Sequence, residues 1–295
     1  DYMVFLKSTV DVRLDGIKIV LDCANGAASD IAPALFEELG ATVYPYYFMP
    51  DGTDINKNCG STHPERICEL VKETGADIGL AFDGDADRLI ACDERGIEID
   101  GDHVLAVCGQ MLKNENRLKN NTVVGTVMSN MGLEIFTRKA GINFEKTGVG
   151  DRYVLERMLE KDFIIGGEKS GHVIFLDYNT TGDGMLTALQ LLRAKVKANK
   201  EMSELASIMH NLPQVLVNVK VSNDKKELYK TDSEILAAIK SADEALLGRG
   251  RTLIRASGTE PLIRVMLEGD NVEEINAFAL KIAQAIETAC DGKIV

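Results

Sequence analysis

The sequence predicts an α/β protein with two repeated α/β domains, whose sheets are mixed and mainly parallel, followed by a smaller α+β C-terminal domain. Short β-branched runs alternate with amphipathic stretches from residue 17 onward, which is typical of βαβ units. The same rhythm returns about 105 residues later, as expected for an internal repeat. Beyond Pro213, valines alternate with polar residues, which indicates half-exposed strands. We therefore expect domains at residues 1–100, 101–212 and 213–295.

The first repeat is predicted to alternate strands with helices. Its predicted strands are residues 17–21, 42–44, 78–82 and 89–92. Ser29 and Asp30 are expected to cap the helix after the first strand, and Pro64 to begin the next helix, which Gly75 closes. The second repeat is predicted to contain a strand at 123–128, a helix at 133–140 and a strand at 163–166.

The C-terminal part is predicted to combine strands with one long helix. Its predicted strands are residues 215–221 and 262–267. Asn271 with Glu274 three residues on forms a capping-box pattern, which predicts that the last helix begins there.

Charge and composition exclude several classes of function. The 33 basic and 46 acidic side chains give a net charge of −13, which disfavours binding to duplex nucleic acid or to an anionic membrane. No apolar run approaches the roughly 20 residues that span a bilayer. The six cysteines form no C-x-x-C pair, so reduced, mostly buried thiols of a cytoplasmic protein are expected. The chain opens at Asp1 without a start methionine or signal peptide, which predicts that it begins inside a longer protein.

The strongest chemical signal is the run DGDADR at residues 83–88. Asp83, Asp85 and Asp87 project to one side of an extended segment, and the small residues between them let the backbone bend so that they converge. Carboxylate oxygens suit Mg²⁺ or Ca²⁺. An EF-hand loop is excluded because Arg88 stands where that loop needs glycine. A solvated acidic turn and an aspartyl-nucleophile phosphatase remain as alternatives.

A second loop, GGEKSGH at residues 166–172, lies between two predicted strands. Glu168 and Ser170 are two residues apart, so both can face one ligand and hydrogen-bond to sugar hydroxyls. His172 is a natural proton carrier near neutral pH. The alternative is a glycine-rich hairpin with an incidental histidine. Residues 147–152 are interpreted as either an active-site loop or a turn, and residues 180–184 as a helix cap.

A third loop is rich in hydrogen-bond donors and predicts a phosphate cradle. Its expected donors are Arg255, Ser257, Gly258, Thr259 and Arg264. The Walker lysine pattern does not occur, so a nucleotide P-loop is excluded. The alternative is a polar turn between two strands.

Together, the three loops resemble, in order and spacing, those of the α-D-phosphohexomutase family over essentially the whole chain. The resemblance implies an intramolecular phosphotransferase in which Asp83, Asp85 and Asp87 hold Mg²⁺ against a phosphoserine while Arg88 steadies its phosphate. It also implies that Glu168 and Ser170 bind sugar hydroxyls, with His172 as general acid/base. The third loop would grip the phosphate that is not transferred.

Finer matches, among them LDCANGA at 21–27 and CGSTHPE at 59–65, resemble family members that act on glucosamine phosphates. The resemblance thus implies interconversion of glucosamine 6-phosphate and glucosamine 1-phosphate through a bisphosphorylated sugar, for UDP-N-acetylglucosamine synthesis. Two alternatives stay open: a mutase for glucose or mannose phosphates, and a non-catalytic sugar-phosphate-binding module.

One feature of the family does not occur in this sequence. The family nucleophile is a serine in a loop of the type Thr-Ala-Ser-His-Asn-Pro in its first domain, and the chain contains no such loop. We expect the chain to lack that domain and to be inactive alone, so the missing domain is its expected partner, together with a hexosamine phosphate substrate. A homodimer is a further assembly that the resemblance leaves to be tested.

Overall fold

The computed structural model describes residues 1–258 and 260–295, which divide into two compact units. Unit 1 comprises Asp1–Ser129 and Leu133–His210, and unit 2 comprises Asn130–Gly132 and Asn211–Val295. Within the described residues, no helix combines the length and apolarity needed to cross a bilayer. The three-domain division at residues 100 and 212 stays a prediction.

The chain up to residue 210 alternates strands and helices. Its strands are β1 (Lys18–Asp22), β2 (Thr42–Tyr46), β3 (Ile78–Phe82), β4 (Leu89–Asp93), β5 (Glu98–Ile99), β6 (Thr122–Thr126), β7 (Asn143–Thr147), β8 (Ile165–Gly167) and β9 (Val173–Phe175). Its helices are α1 (Tyr2–Ser8), α2 (Ala32–Glu38), α3 (Pro64–Thr74), α4 (Gly101–Asn114), α5 (Met131–Ala140), α6 (Asp151–Lys161), α7 (Gly184–Ala198) and α8 (Met202–Ala206).

The two sheets of unit 1 share the same order over four strands, which confirms the predicted internal repeat, and the first sheet has a fifth strand, β5. They run β2-β1-β3-β4-β5 and β7-β6-β8-β9. In each sheet the first strand of the repeat lies parallel to two neighbours, and the hairpin strand, β4 or β9, is antiparallel. The sheets are therefore mixed, as expected, and the loops after β3 and β8 occupy equivalent places.

A continuous apolar core supports those loops. Strands β3 and β4 are buried along their whole length. One cluster of buried side chains contains Leu21 and Phe82 from the first sheet together with Val123 and Ile165 from the second. The acidic loop that joins β3 to β4 is therefore anchored at both ends by fully buried strands.

Helix α3 begins at Pro64 and is followed by Gly75 in the left-handed conformation (φ 63°), as predicted. The prediction that Ser29 and Asp30 cap α2 is wrong. Ile31 is the N-cap and makes no side-chain cap bond. The carbonyl of Ala28 accepts hydrogen bonds from the amides of Ile31 and Ala32, so a backbone turn precedes the helix where a side-chain cap was expected.

Unit 2 is the smaller α+β part. Its elements are β10 (Gln214–Lys220), α9 (Ser233–Ala245), β11 (Gly250–Ala256), β12 (Leu262–Gly269), α10 (Val272–Cys290) and β13 (Lys293–Ile294). The antiparallel sheet has the order β11-β12-β10-β13. The Asn271 side chain accepts from the amide of Glu274 at 3.0 Å, which confirms the predicted start of α10.

Candidate active site

Three carboxylates converge in the loop between β3 and β4. Ligand oxygens of Asp83, Asp85 and Asp87 all lie within 4.8 Å of one another. Ala86 has a left-handed backbone (φ 61°), and its amide donates to the carbonyl of Asp83 at 3.1 Å, so the loop turns tightly. Asp83 is buried, Asp87 is half-buried and Asp85 is exposed. The predicted convergence is therefore present in the structure.

The charge of this cluster is only partly balanced. The Arg88 amide donates to Asp83 Oδ1 at 3.1 Å, and Arg88 Nε lies 3.6 Å from one oxygen each of Asp83 and Asp87. Burial, reinforced by the neighbouring carboxylates of Asp87 and Asp85, raises the pKa of Asp83 to about 6. A divalent cation would remove this repulsion.

The raised pKa of Asp83 predicts a pH-dependent stability in metal-free protein. The Asp83 carboxyl binds its proton more tightly in the folded state than in the unfolded chain. Its contribution to the free energy of unfolding is therefore full below pH 3.8 and is lost as the pH rises to about 6. Relative to Asp83→Asn, we expect the free energy of unfolding of the unaltered chain to fall across that window. Denaturant unfolding of both proteins at several pH values measures the difference. Parallel pH profiles would contradict the prediction, and saturating Mg²⁺ should remove the effect.

One carboxylate oxygen of the three-aspartate cluster shows whether the cluster suits a cation. Asp87 Oδ1 is buried and, among the described residues, has no hydrogen-bond partner, since Arg88 Nε lies 3.6 Å away, beyond hydrogen-bond distance. A buried carboxylate oxygen without a partner is costly unless a cation or a water satisfies it. The donor set consists of hard oxygens, which Mg²⁺ prefers. The loop therefore fits the metal that the sequence predicts.

The second repeat contributes a histidine to this cluster. His172, just before β9, is only 4% exposed, and its Nδ1 lies 3.1 Å from Asp87 Oδ2. Its Nε2 accepts a hydrogen bond from the amide of Gly182 at 3.1 Å. The backbones of Arg88 and His172 also form an isolated antiparallel bridge. The structure thus joins the predicted metal loop to the predicted sugar loop within unit 1.

The sugar-binding candidates lie at the tip of the β8–β9 hairpin. Glu168 is half-buried and its Oε2 accepts from the amide of Gly150 at 3.2 Å, whereas Ser170 is exposed. The amide of Glu168 donates to the carbonyl of His172 at 2.9 Å and closes the hairpin. The loop at 147–152 thus supports Glu168. Asp183 caps α7 by accepting from the amide of Leu186 at 2.9 Å, as the sequence predicted for residues 180–184.

Unit 2 carries the predicted phosphate loop between β11 and β12. Arg255 and Arg264 are direct cross-strand partners. Arg264 Nη2 donates to Glu260 Oε2 at 2.6 Å, while Arg255 has no ion-pair partner among the described residues. Two cations facing each other are unfavourable without an anion between or beside them. Thr259, also predicted here, lies outside the described residues.

The remaining loop donors have different exposures, and one basic residue was missed. Ser257 is half-buried and Gly258 is exposed. Lys226 Nζ donates to the carbonyl of Ser257 at 2.9 Å, which brings a third cation to the loop. Lys226 lies 31 residues earlier in the sequence. It has no local pattern that would have revealed this contact.

These features define an α/β protein with a carboxylate cluster suited to a divalent cation and a separate arginine-rich loop suited to an anion. Comparison with family models identifies the family. The phosphoglucomutase/phosphomannomutase α/β/α domain II matches residues 1–96, α/β/α domain III matches residues 100–212, and the C-terminal domain matches residues 216–285. The chain belongs to the phosphoglucomutase/phosphomannomutase family, which confirms the resemblance found in the sequence.

Curated relatives are closely similar. The phosphoglucosamine mutase of Alkaliphilus oremlandii is 58% identical over 287 residues, which cover 97% of this chain and 64% of the relative. The phosphoglucosamine mutase of Thermoanaerobacter sp. is 57% identical with the same coverage. The chain thus spans about two-thirds of the length of these relatives, at 64%.

Solved structures support the fold. A phosphoglucomutase/phosphomannomutase family protein from Burkholderia thailandensis aligns with a TM-score of 0.79 at 23% identity, covering 98% of this chain and 64% of that one. The N-acetylphosphoglucosamine mutase of Aspergillus fumigatus, solved in complex with GlcNAc-6P and magnesium, aligns with a TM-score of 0.76 at 19% identity, covering 96% and 68%. At these identities the similarity confirms the α/β architecture.

Proposed function

We propose that this chain supplies the metal-, sugar- and phosphate-binding parts of a phosphoglucosamine mutase, which interconverts glucosamine 6-phosphate and glucosamine 1-phosphate. The convergence of Asp83, Asp85 and Asp87 within 4.8 Å is the observation that carries the proposal. The curated relatives named phosphoglucosamine mutase support the choice of substrate. Such an enzyme is an isomerase of amino-sugar metabolism, on the route to a cell-wall precursor.

The proposed reaction is a double phosphoryl transfer. A phosphoserine gives its phosphoryl group to the substrate, which forms a 1,6-bisphosphate. This intermediate reverses its orientation in the site, and its other phosphoryl group is transferred back to the serine. Mg²⁺ held by the three aspartates would neutralise charge on the transferred group. The Arg88 side chain is 44% exposed, so its guanidinium can donate to that phosphate while its backbone stays fixed to Asp83.

The other two loops would hold the substrate. The Glu168 carboxylate, whose Oε2 accepts from Gly150, and the exposed Ser170 hydroxyl suit sugar hydroxyls. The phosphate that is not transferred would be bound by Arg255, Ser257, Gly258, Thr259 and Arg264. A bound phosphate would also relieve the repulsion between the facing arginines.

General acid/base work by His172 belongs to this proposal. Since both ring nitrogens have partners in the structure, proton transfer to substrate requires one of them to leave its partner. A full-length enzyme with His172→Gln and normal turnover would remove His172 from that role.

The proposed partner of this chain is a first domain that carries the nucleophilic serine loop. The sequence contains no loop of that type. The six free thiols suit the reducing cytoplasm, which we propose as the location. A homodimer stays a proposal for measurement by sedimentation.

A chimaera tests the function. The segment of the Alkaliphilus oremlandii relative that precedes its matched region is fused to residue 1 of this chain. We expect the chimaera to isomerise glucosamine 6-phosphate and the unfused chain to have no mutase activity. Turnover by the unfused chain would contradict the need for the serine domain. No turnover of any hexose phosphate, with retained binding, would favour a sugar-phosphate-binding module.

A second candidate substrate class follows from the family description, which names phosphoglucomutase and phosphomannomutase. The same chimaera distinguishes the candidates when kcat/KM is measured on glucosamine, glucose and mannose 6-phosphates. We expect the highest value on glucosamine 6-phosphate. A preference for either of the other two sugars would assign the chain to that substrate instead.

A further inference from the structure

His172 has a contact pattern that constrains where its proton lies. The ring nitrogen Nε2 accepts a hydrogen bond from the Gly182 amide, so Nε2 carries no proton. In the neutral ring the proton is then on Nδ1, which lies 3.1 Å from Asp87 Oδ2 and donates to it. The nearest other carboxylate is the exposed Asp151, 4.0 Å from Nε2, which is beyond hydrogen-bond distance.

Steric fit holds the ring in this place. A Cβ at Gly182 would lie 2.5–2.7 Å from three ring atoms of His172, so the glycine backbone packs directly against the imidazole. The next residue, Asp183, caps α7 and accepts from the Tyr2 hydroxyl at 2.7 Å. The amide that fixes Nε2 therefore belongs to a segment tied to two helices.

The two carboxylate oxygens of Asp87 have different surroundings. Oδ2 accepts from His172, whereas Oδ1 is buried, lies 3.6 Å from Arg88 Nε and has no hydrogen-bond partner among the described residues. A donor on one oxygen fixes the rotation of the carboxylate and therefore the direction in which the other oxygen points. We propose that His172 is a positioning residue, which turns Asp87 so that Oδ1 is presented to the divalent cation. The inference rests on the proposed function, since it assumes that the three-aspartate loop binds a metal.

Substitution of His172 by asparagine or by glutamine tests whether the hydrogen bond from Nδ1 to Asp87 supports metal binding. The amide nitrogen of asparagine can occupy the place of Nδ1, whereas that of glutamine reaches the place of Nε2. We expect His172→Gln to weaken Mn²⁺ binding to this chain by about 10- to 100-fold, and His172→Asn to bind close to the unaltered chain. His210→Gln, at an exposed histidine, is the matched control. Calorimetry or Mn²⁺ electron paramagnetic resonance measures the affinity, and metal-free melting temperatures report any purely structural loss.

Equal metal affinities for the asparagine and glutamine variants would overturn the inference. A chimaera in which His172→Asn keeps Mn²⁺ affinity but loses turnover would support the positioning role and would also show that the ring takes part in proton transfer. If the unaltered chain binds no Mn²⁺ at millimolar concentration, the metal site of the proposed function fails and the inference fails with it. Metal binding with no difference between the variants removes the inference alone.

A spectroscopic measurement tests the geometry in the unaltered, metal-free chain, with variants used only to assign the signals. The chain has four histidines, so ¹⁵N-histidine labelling gives few ring signals, and the control His210→Gln with His172→Asn assigns two of them. We expect the neutral His172 ring to carry its proton on Nδ1. Protonation of Nε2 in the neutral ring would contradict the donation to Asp87 on which the inference depends.

Discussion

Asp85→Asn should abolish Mg²⁺-dependent turnover in the chimaera. It should also weaken Mn²⁺ binding by this chain by more than roughly 100-fold, because loss of a residue that only orients a metal ligand costs at most about that much. Asp85 is exposed, so its replacement removes no core packing. It does remove one of three carboxylates whose oxygens lie within 4.8 Å of one another. The loss therefore falls on the cation site.

Asp85→Asn should weaken metal binding but slightly raise the thermal stability of the metal-free chain. Asp85→Asn relieves repulsion with Asp83 and Asp87, so we expect a slightly higher melting temperature than for the unaltered chain. At a Mn²⁺ concentration of 100 times the dissociation constant, the unaltered chain should gain about 2.7 kcal/mol and the variant almost nothing. A destabilised metal-free variant would point to a structural role for Asp85.

An exposed aspartate elsewhere provides the control. Asp30→Asn makes the same charge change outside the cluster. We expect it to leave Mn²⁺ affinity and turnover unchanged. If Asp30→Asn lost as much affinity as Asp85→Asn, the effect would be one of net charge, and the cluster would not be the metal site.

Local features of the site could be predicted from the sequence. The period-two spacing of Asp83, Asp85 and Asp87 and the small residues between them predicted the convergence that the structure contains. The left-handed backbone of Ala86 is the bend that those small residues permit. The repeat was also visible in the sequence, because strand and helix patterns recur at a fixed distance, and the two sheets share their order over four strands.

Long-range contacts could not be predicted in the same way. The hydrogen bond between Asp87 and His172 joins residues 85 positions apart. It depends on how two strands of different sheets end near each other, whereas periodicity reports only the local conformation. Lys226 reached the phosphate loop through a similar distant contact. The wrong cap at Ser29 has another cause, since a backbone turn at Ala28 satisfied the amides that a side chain was expected to bind.

The phosphate loop yields the second large prediction. In the chimaera, Arg255→Gln should raise the KM for glucosamine 6-phosphate by about 10- to 150-fold with a much smaller change in kcat, since a charge-assisted hydrogen bond contributes about 1.5–3 kcal/mol. The phosphate that is not transferred keeps its charge throughout the reaction. Its binding therefore stabilises the ground and transition states alike, and this uniform binding appears in KM.

The pairing of Arg264 with Glu260 makes the two arginines unequal. Arg264 already donates to Glu260 at 2.6 Å and must share its donors with a substrate, whereas Arg255 has no such partner among the described residues. We therefore expect a smaller rise in KM for Arg264→Gln than for Arg255→Gln. Arg249→Gln is the control, because Arg249 is paired with Glu274 at 3.0 Å in the same unit. It should lower stability and leave KM unchanged. A fall in kcat without a rise in KM for Arg255→Gln would instead mean that Arg255 acts on the phosphoryl group in transfer.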